Sequence, residues 1–241
     1  MTGILVLNER ALEILRLLKH YYPDAKCSLD HQNPLQLLIA TILSAQCTDD
    51  RVNKVTPALF DKYKTVEDFA NADLTELEAL VRTTGFYRNK AKNIKNSCQQ
   101  ILDKHGGEIP RTLEELSALP GVGRKTANVV LGNVFNVPGV VVDTHVGRLS
   151  RRMGFTKHED PVKVEHDLMA LFPKEMWTDL GHLMISHGRE ICLARRAQCE
   201  RCFLADGLCL RKGVDKSTGK PLGTEKVSRK VEKKPVRKKK R

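Results

Sequence analysis

Aromatic residues make up only 5% of the 241-residue chain, and no apolar run is long enough to cross a membrane. The longest, LQLLIATILSAQ at 35–46, covers about three helical turns, the length of a buried core helix. The start, MTGILVLNERALEIL, shows neither a basic leader nor a small-residue cleavage site, so neither export nor membrane association is expected. Strand-like alternation is scarce as well. Most apolar residues recur three and four apart, and an all-α fold is expected. Acidic residues number 29 against 41 Lys and Arg, but the deficit is local. Residues 211–241 hold 14 Lys/Arg and 3 Asp/Glu, leaving 27 and 26 for residues 1–210. A nearly neutral body that binds nucleic acid must place its positive groups locally.

The seven cysteines are an odd number and show no disulfide framework. Cys27, Cys47 and Cys98 lie scattered in helical surroundings and are expected to be buried thiols. The others form Cys192-x6-Cys199-x2-Cys202-x6-Cys209, four ligands within 18 residues. That spacing marks a metal site in a reducing compartment, and ligand count leaves tetrahedral zinc and a four-iron cluster both open. Arg195, Arg196 and Arg201 lie between the ligands and would give the loop positive charge.

Helices are expected over 9–22, 35–46, 51–63, 73–82, 88–104, 113–119, 127–135, 146–155, 161–171 and 175–191. From about 213 onward large apolar residues almost vanish and disorder is expected.

The most informative stretch is TLEELSALPGVGRKTANVVLGNVF at 112–135. Thr112 with Glu115 fits a capping box, Pro120 ends the helix, and Gly121-Val122-Gly123 form a hairpin before a second helix starting near Arg124. Backbone N–H groups at such a glycine-flanked helix start can bind a phosphate oxygen, reading duplex backbone rather than base sequence. Lys125 falls in the first helical turn, where a cation opposes the macrodipole. A positive helix end with partial burial favours the uncharged amine that a lysine nucleophile needs. Downstream, VVVDTHVGR puts Asp143 after three valines and before a helix, suiting both an N-cap and a proton-transfer carboxylate. His145 reads as a structural hydrogen-bonding group.

Taken in order, LSAQCTDD (43–50), TTGFYRNKAKNI (83–94), LPGVGRKTANVVL (119–131), VVDTHVGR (141–148), HGREIC (187–192) and the cysteine cluster resemble the endonuclease III family of DNA glycosylase/AP lyases. This is a branch of the helix-hairpin-helix glycosylase superfamily, and the resemblance covers roughly residues 8–210. It implies two helical domains flanking a DNA cleft. One is a six-helix barrel over 27–137 that contains the helix-hairpin-helix at about 112–132. The other combines 1–26 with 138–210 and carries a [4Fe-4S] cluster on Cys192, Cys199, Cys202 and Cys209. Residues 211–241 form a disordered basic tail. By position the resemblance makes Lys125 the Schiff-base nucleophile and Asp143 the catalytic carboxylate. Gln46 and Phe86 fall in loops that enter the duplex where the damaged nucleotide is flipped out. Gly121, Val122, Gly123, Arg195 and Arg196 complete the DNA-binding set.

The implied activity removes oxidised pyrimidines from duplex DNA and cleaves 3′ to the abasic site by β-elimination. The implied partner is double-stranded DNA with a damaged base or abasic site, bound by a monomer in the cytoplasm near the nucleoid if bacterial, or in a nucleus. Two alternatives weigh against this. An adenine or mismatch glycosylase without lyase activity would not carry lysine at 125, and the adenine branch would also have a carboxylate within 35–46, which holds none; a non-catalytic DNA-binding module would not need both Lys125 and Asp143. The family's last cysteine spacing is one residue shorter, so Cys209 follows an insertion near Asp206-Gly207.

The tail carries a prediction of its own, as an anchor on DNA for a neutral body. Truncation after Arg211 is expected to lower the salt slope of log affinity by about 0.9 per phosphate released, on damaged and undamaged duplex alike. Single-turnover chemistry at saturating enzyme should stay unchanged, and equal slopes with and without the tail would dismiss the anchor.

Overall fold

Helix starts are marked by side chains that accept a hydrogen bond from the N–H three residues on, each worth about 1 kcal/mol. Asn33 caps α2 (Pro34–Leu43), Thr48 caps α3 (Asp49–Lys62), Thr65 caps α4 (Val66–Asn71) and Asp73 caps α5 (Leu74–Val81). The remaining elements, in a computed structural model describing residues 7–222, are α1 (Leu7–Tyr21), α6 (Tyr87–His105), α7 (Leu113–Ser117), α8 (Arg124–Val134), α9 (Thr144–Met153), α10 (Pro161–Leu171) and α11 (Trp177–Glu190). Thr112, Asp143 and Asp160 cap α7, α9 and α10. No side chain caps the starts of α6, α8 or α11. Two of these uncapped starts carry Phe86 and Lys125.

No strand forms among the described residues, only two isolated bridges. The fold is all-α, as expected. Periodicity gave six helices between 27 and 137, and a seventh, α4, is present. Its signal was legible, since Thr65 and Asp68 form a full capping box, but six residues are too few for an amphipathic pattern. The helix expected to run to 46 stops at Leu43, leaving Gln46 in the following turn.

Two hydrophobic cores result. The first, from Leu29 to Leu131, gathers α2–α8 around α2, where eight of ten residues are buried, as expected of a helix apolar on every side. The second brings α1 together with α9, α10, α11 and the cysteine loop. Chain order does not separate them, because α1 precedes the first core and packs against α11 in the second.

Disorder from 213 onward is not what residues 211–222 show. Val214 is buried, it bridges to Pro221, and the Gly219 carbonyl accepts from Ala197 N at 2.7 Å. The approach is so close that a Cβ on Gly219 would stand 1.8 Å from the Ala197 carbonyl oxygen. The segment thus folds back onto the cysteine loop, and its single buried apolar residue suffices because backbone hydrogen bonds supply the rest. The remainder of the basic tail lies outside the described residues. It holds ten Lys/Arg and two Glu in 223–241, so a tail truncation that spares the hairpin is cut after Leu222.

The cores are also joined by polar contacts. Arg124 at the start of α8 makes a bidentate pair with Glu165 on α10, at 2.9 and 2.8 Å, and the buried Asn128 reaches the same carboxylate at 3.4 Å. The arginine is half exposed while the glutamate is almost fully buried. Removing the glutamate leaves a buried amide short of its acceptor and a guanidinium without its fork partner. Glu165→Ala is expected to lower the unfolding free energy by about 2 kcal/mol in urea denaturation, through a lower midpoint at unchanged slope.

Candidate active site

Between the cores lies an open cleft with a cavity of about 200 Å³ that both Lys125 and Asp143 line. Lys125 comes from the second residue of α8, on the first core, and Asp143 from the cap of α9, on the second. The hairpin before α8 is held from below. Ser97 donates to the Pro120 carbonyl at 2.7 Å. Gly121 has φ 76°, and a Cβ there would meet Asn93 of α6 at 2.7 Å, so this glycine is required twice over. A Cβ on Gly123 would meet nothing within 4 Å, so the protein itself does not demand a glycine there. The Val122 side chain is buried and its N–H donates to the Leu119 carbonyl at 3.1 Å, so this residue anchors the hairpin. The first turn of α8 contains no acid, leaving its positive end uncompensated from within the helix.

Lys125 is exposed, not partly buried as expected. Exclusion of water from this amine therefore awaits whatever covers the cleft. One oxygen of Asp143 accepts the Val146 N–H at 2.8 Å, and among the described residues no hydrogen bond reaches the other. The cap role and an available carboxylate oxygen coexist in one side chain. His145 stands 3.2 Å from Arg148 Nη2, and burial lowers its pKa against the opposing pull of Asp143. It is the structural group foreseen.

Two contacts in the cleft had no sequence signal. Asp49 and Arg189 pair at 2.8 Å across 140 residues, with Ser28 donating to the same Asp49 oxygen. His182 of α11 meets Asn133 of α8 at 2.9 Å. Both pairs join the two cores along the cavity wall. Of the three cysteines expected to be buried, only Cys98 is; Cys27 and Cys47 are half-buried and line the cavity.

Gln46 and Phe86 are exposed and take left-handed backbone conformations, φ 54° and 47°. With Phe86 64% exposed, a core role for this aromatic is ruled out.

Cys192, Cys199, Cys202 and Cys209 line one pocket in the second core, and all are free thiols. The chain between Cys202 and Cys209 turns at Gly207, φ 81°. Burial pushes Cys202 up to about 12, and the three neighbouring sulfurs push the same way. Four thiols gathered in one pocket ionise together only beside a compensating positive group, so the donor set suits a bound metal. Among the described residues, no three His, Cys, Asp or Glu are grouped as ligands of one metal ion. The loop is organised by the buried Arg152, which donates to the carbonyls of Leu193 and Ala194 and approaches Cys192 Sγ at 3.3 Å. Burial drops His187 to about 4, and its neutral ring lies 3.1 Å from Tyr22 Oη and 3.5 Å from Cys202 Sγ. Arg195 and Arg196 are exposed on the loop, with Arg196 donating to the Thr218 carbonyl at 3.2 Å.

A glycine hairpin opening a lysine-bearing helix, faced by a carboxylate across an intercore cleft, is the arrangement of helix-hairpin-helix base-excision repair proteins. The family model described as "HhH-GPD superfamily base excision DNA repair protein" matches residues 39–174. Endonuclease III of Synechocystis sp. is 56% identical over 199 residues, covering 82% of this chain and 91% of that one. A solved non-covalent endonuclease III–DNA complex superposes with TM-score 0.80 at 48% identity, over 85% of this chain and 96% of that one. A trapped endonuclease III–DNA covalent intermediate gives 0.79 at 49%, over 83% and 94%. The chain belongs to the endonuclease III family.

Proposed function

We propose that this chain is a bifunctional base-excision enzyme that removes oxidised pyrimidines from duplex DNA and cuts the strand 3′ to the abasic site, with Lys125 as nucleophile. The observation that carries this reading is the meeting of Lys125 and Asp143 in one cleft from two different cores. The likeness to a trapped covalent endonuclease III–DNA intermediate supports a covalent step.

The uncapped start of α8 and the open space at Gly123 accept a phosphate of the damaged strand. Gln46 and Phe86 enter the duplex as the nucleotide turns out, a role that suits their exposure and fixed left-handed backbones. Lys125 Nζ adds to C1′ while the bond from C1′ to the base breaks, and the base leaves with that electron pair and takes up a proton. The free Asp143 oxygen accepts a proton from the amine and stabilises positive charge on the sugar. Ring opening gives the imine, and loss of a C2′ proton expels the 3′ phosphate. Two domains, 27–137 and 1–26 with 138–210, would hold the cleft between them, one copy of the chain sufficing for one lesion. The setting is the compartment that holds the chromosome, the cytoplasm for a bacterial enzyme.

Cys192, Cys199, Cys202 and Cys209 would hold a [4Fe-4S] cluster. Four thiols lining one pocket are a donor set that either a zinc ion or a four-iron cluster could use, and the likeness to endonuclease III favours the cluster. When bound, the cluster supplies a cross-link that fixes the loop presenting Arg195 and Arg196 to the DNA backbone.

Lys125→Ala is expected to abolish borohydride trapping on lesion DNA while binding persists; trapping that survives would place the nucleophile elsewhere. Asp143→Asn keeps an oxygen for the cap, so it should melt within a few degrees of wild type yet turn over at least about a hundredfold more slowly. Protein isolated without oxygen should be yellow-brown with iron well above zinc by elemental analysis, and a colourless zinc protein would overturn the cluster.

A further inference from the structure

Lys90 is 5% exposed, and among the described residues no carboxylate pairs with it. Its ammonium donates to two backbone carbonyls, Leu43 at 2.8 Å and Thr84 at 2.8 Å. A buried cation held only by carbonyls is a costly way to fasten two loops, since an apolar side chain would fill the same volume without desolvating a charge. Burial lowers the Lys90 pKa accordingly.

What those two carbonyls share is their position. Leu43 is the last residue of α2, and the turn that follows holds Gln46. Thr84 ends the short 3₁₀ turn Arg82–Thr84, and Gly85 and Phe86 follow directly. Lys90 also donates its own backbone N–H to the Phe86 carbonyl at 3.1 Å, closing the first turn of α6. The cation completes the negative end of α2, where the last carbonyls lack helical partners. One side chain thus ties together the roots of the two loops whose tips are left-handed, exposed and 40 residues apart in sequence.

We propose that Lys90 is a positioning residue for base extrusion: its ammonium braces the Gln46 and Phe86 loops in a single geometry, so that both side chains enter the duplex together. The inference rests on the duplex-entering role given above to Gln46 and Phe86. Without the brace each loop keeps its own fold but loses its register with the other, and the geometry must be re-formed on DNA at every encounter. Lys90 touches neither the sugar nor the base, and chemistry at Lys125 does not depend on it once the nucleotide is exposed.

The test uses the full-length protein with its metal site filled and one abasic site presented in two forms, within a duplex and within a single strand. A single strand has no partner to displace. Lys90→Met should slow single-turnover cleavage of the duplex at least about tenfold and of the single strand less than about twofold. In a Phe86→Ala background the same substitution should add little, because the brace acts through that loop. Equal slowing of both substrates would show a general loss of structure and overturn the proposal, as would unchanged duplex cleavage. Should Met at this position prevent folding, Lys90→Gln, whose amide still offers donors to both carbonyls, is measured on the same pair and must fall between wild type and the tenfold loss. Gln46→Ala and Phe86→Ala tested alone separate the two levels. If neither slows duplex cleavage, the duplex-entering role is wrong and the brace falls with it; if they do and Lys90→Met does not, only the brace is wrong.

Discussion

Lys125 stands on one core and Asp143 on the other, and the buried carboxylate of Glu165 locks the two together. Its fork with Arg124 sits one residue from Lys125, so the pair that joins the cores also fixes the start of the helix bearing the amine. Geometry matters more than energy here. A bidentate guanidinium–carboxylate contact specifies distance and rotation at once, which a hydrophobic seam would leave free to slide. The flanking ties, Asp49 with Arg189 and Asn133 with His182, are more exposed or uncharged and contribute about 0–1 kcal/mol each. They set the cleft's other wall, so the cavity is bounded by polar contacts that both cores share.

The second core follows the same rule. Arg10 donates to the carbonyls of Met153 and Leu208, while Arg152 serves Leu193 and Ala194. Both guanidiniums are buried; Arg152 holds two carbonyls of irregular backbone, and Arg10 holds one such carbonyl and the carbonyl that ends α9. A loop carrying four sulfurs must present its carbonyls somewhere, and these arginines receive them. One exposed arginine of that loop, Arg196, meets the 211–222 hairpin instead, at the Thr218 carbonyl.

Helix caps, the apolar α2, the glycine hairpin and the cysteine cluster were legible because each is a local pattern whose physics is complete within a few residues. The α8 start was legible for the opposite reason, as a lysine where the dipole disfavours one. What stayed hidden depends on distant partners. Asp49 and Arg189 lie in quoted motifs, yet nothing near either names the other 140 residues away. Lys90 sits among polar residues in TTGFYRNKAKNI, where a surface lysine is the ordinary reading, and only folding shows it buried. The hairpin at 211–222 was hidden because composition sees few apolar residues and cannot see that one, Val214, is enough when Gly219 lets two backbones touch.

Gln46 and Phe86 carry a further consequence, in the terms of selection. A residue other than glycine held at positive φ costs about 1–3 kcal/mol of backbone strain. Glycine at either place would relieve it, so both positions oppose persistence to activity: a lineage selected only for heat resistance drifts toward glycine there and loses the side chains proposed to enter DNA. Large side chains at 46 and 86 thus hold this fold below the stability its backbone would allow at those two points.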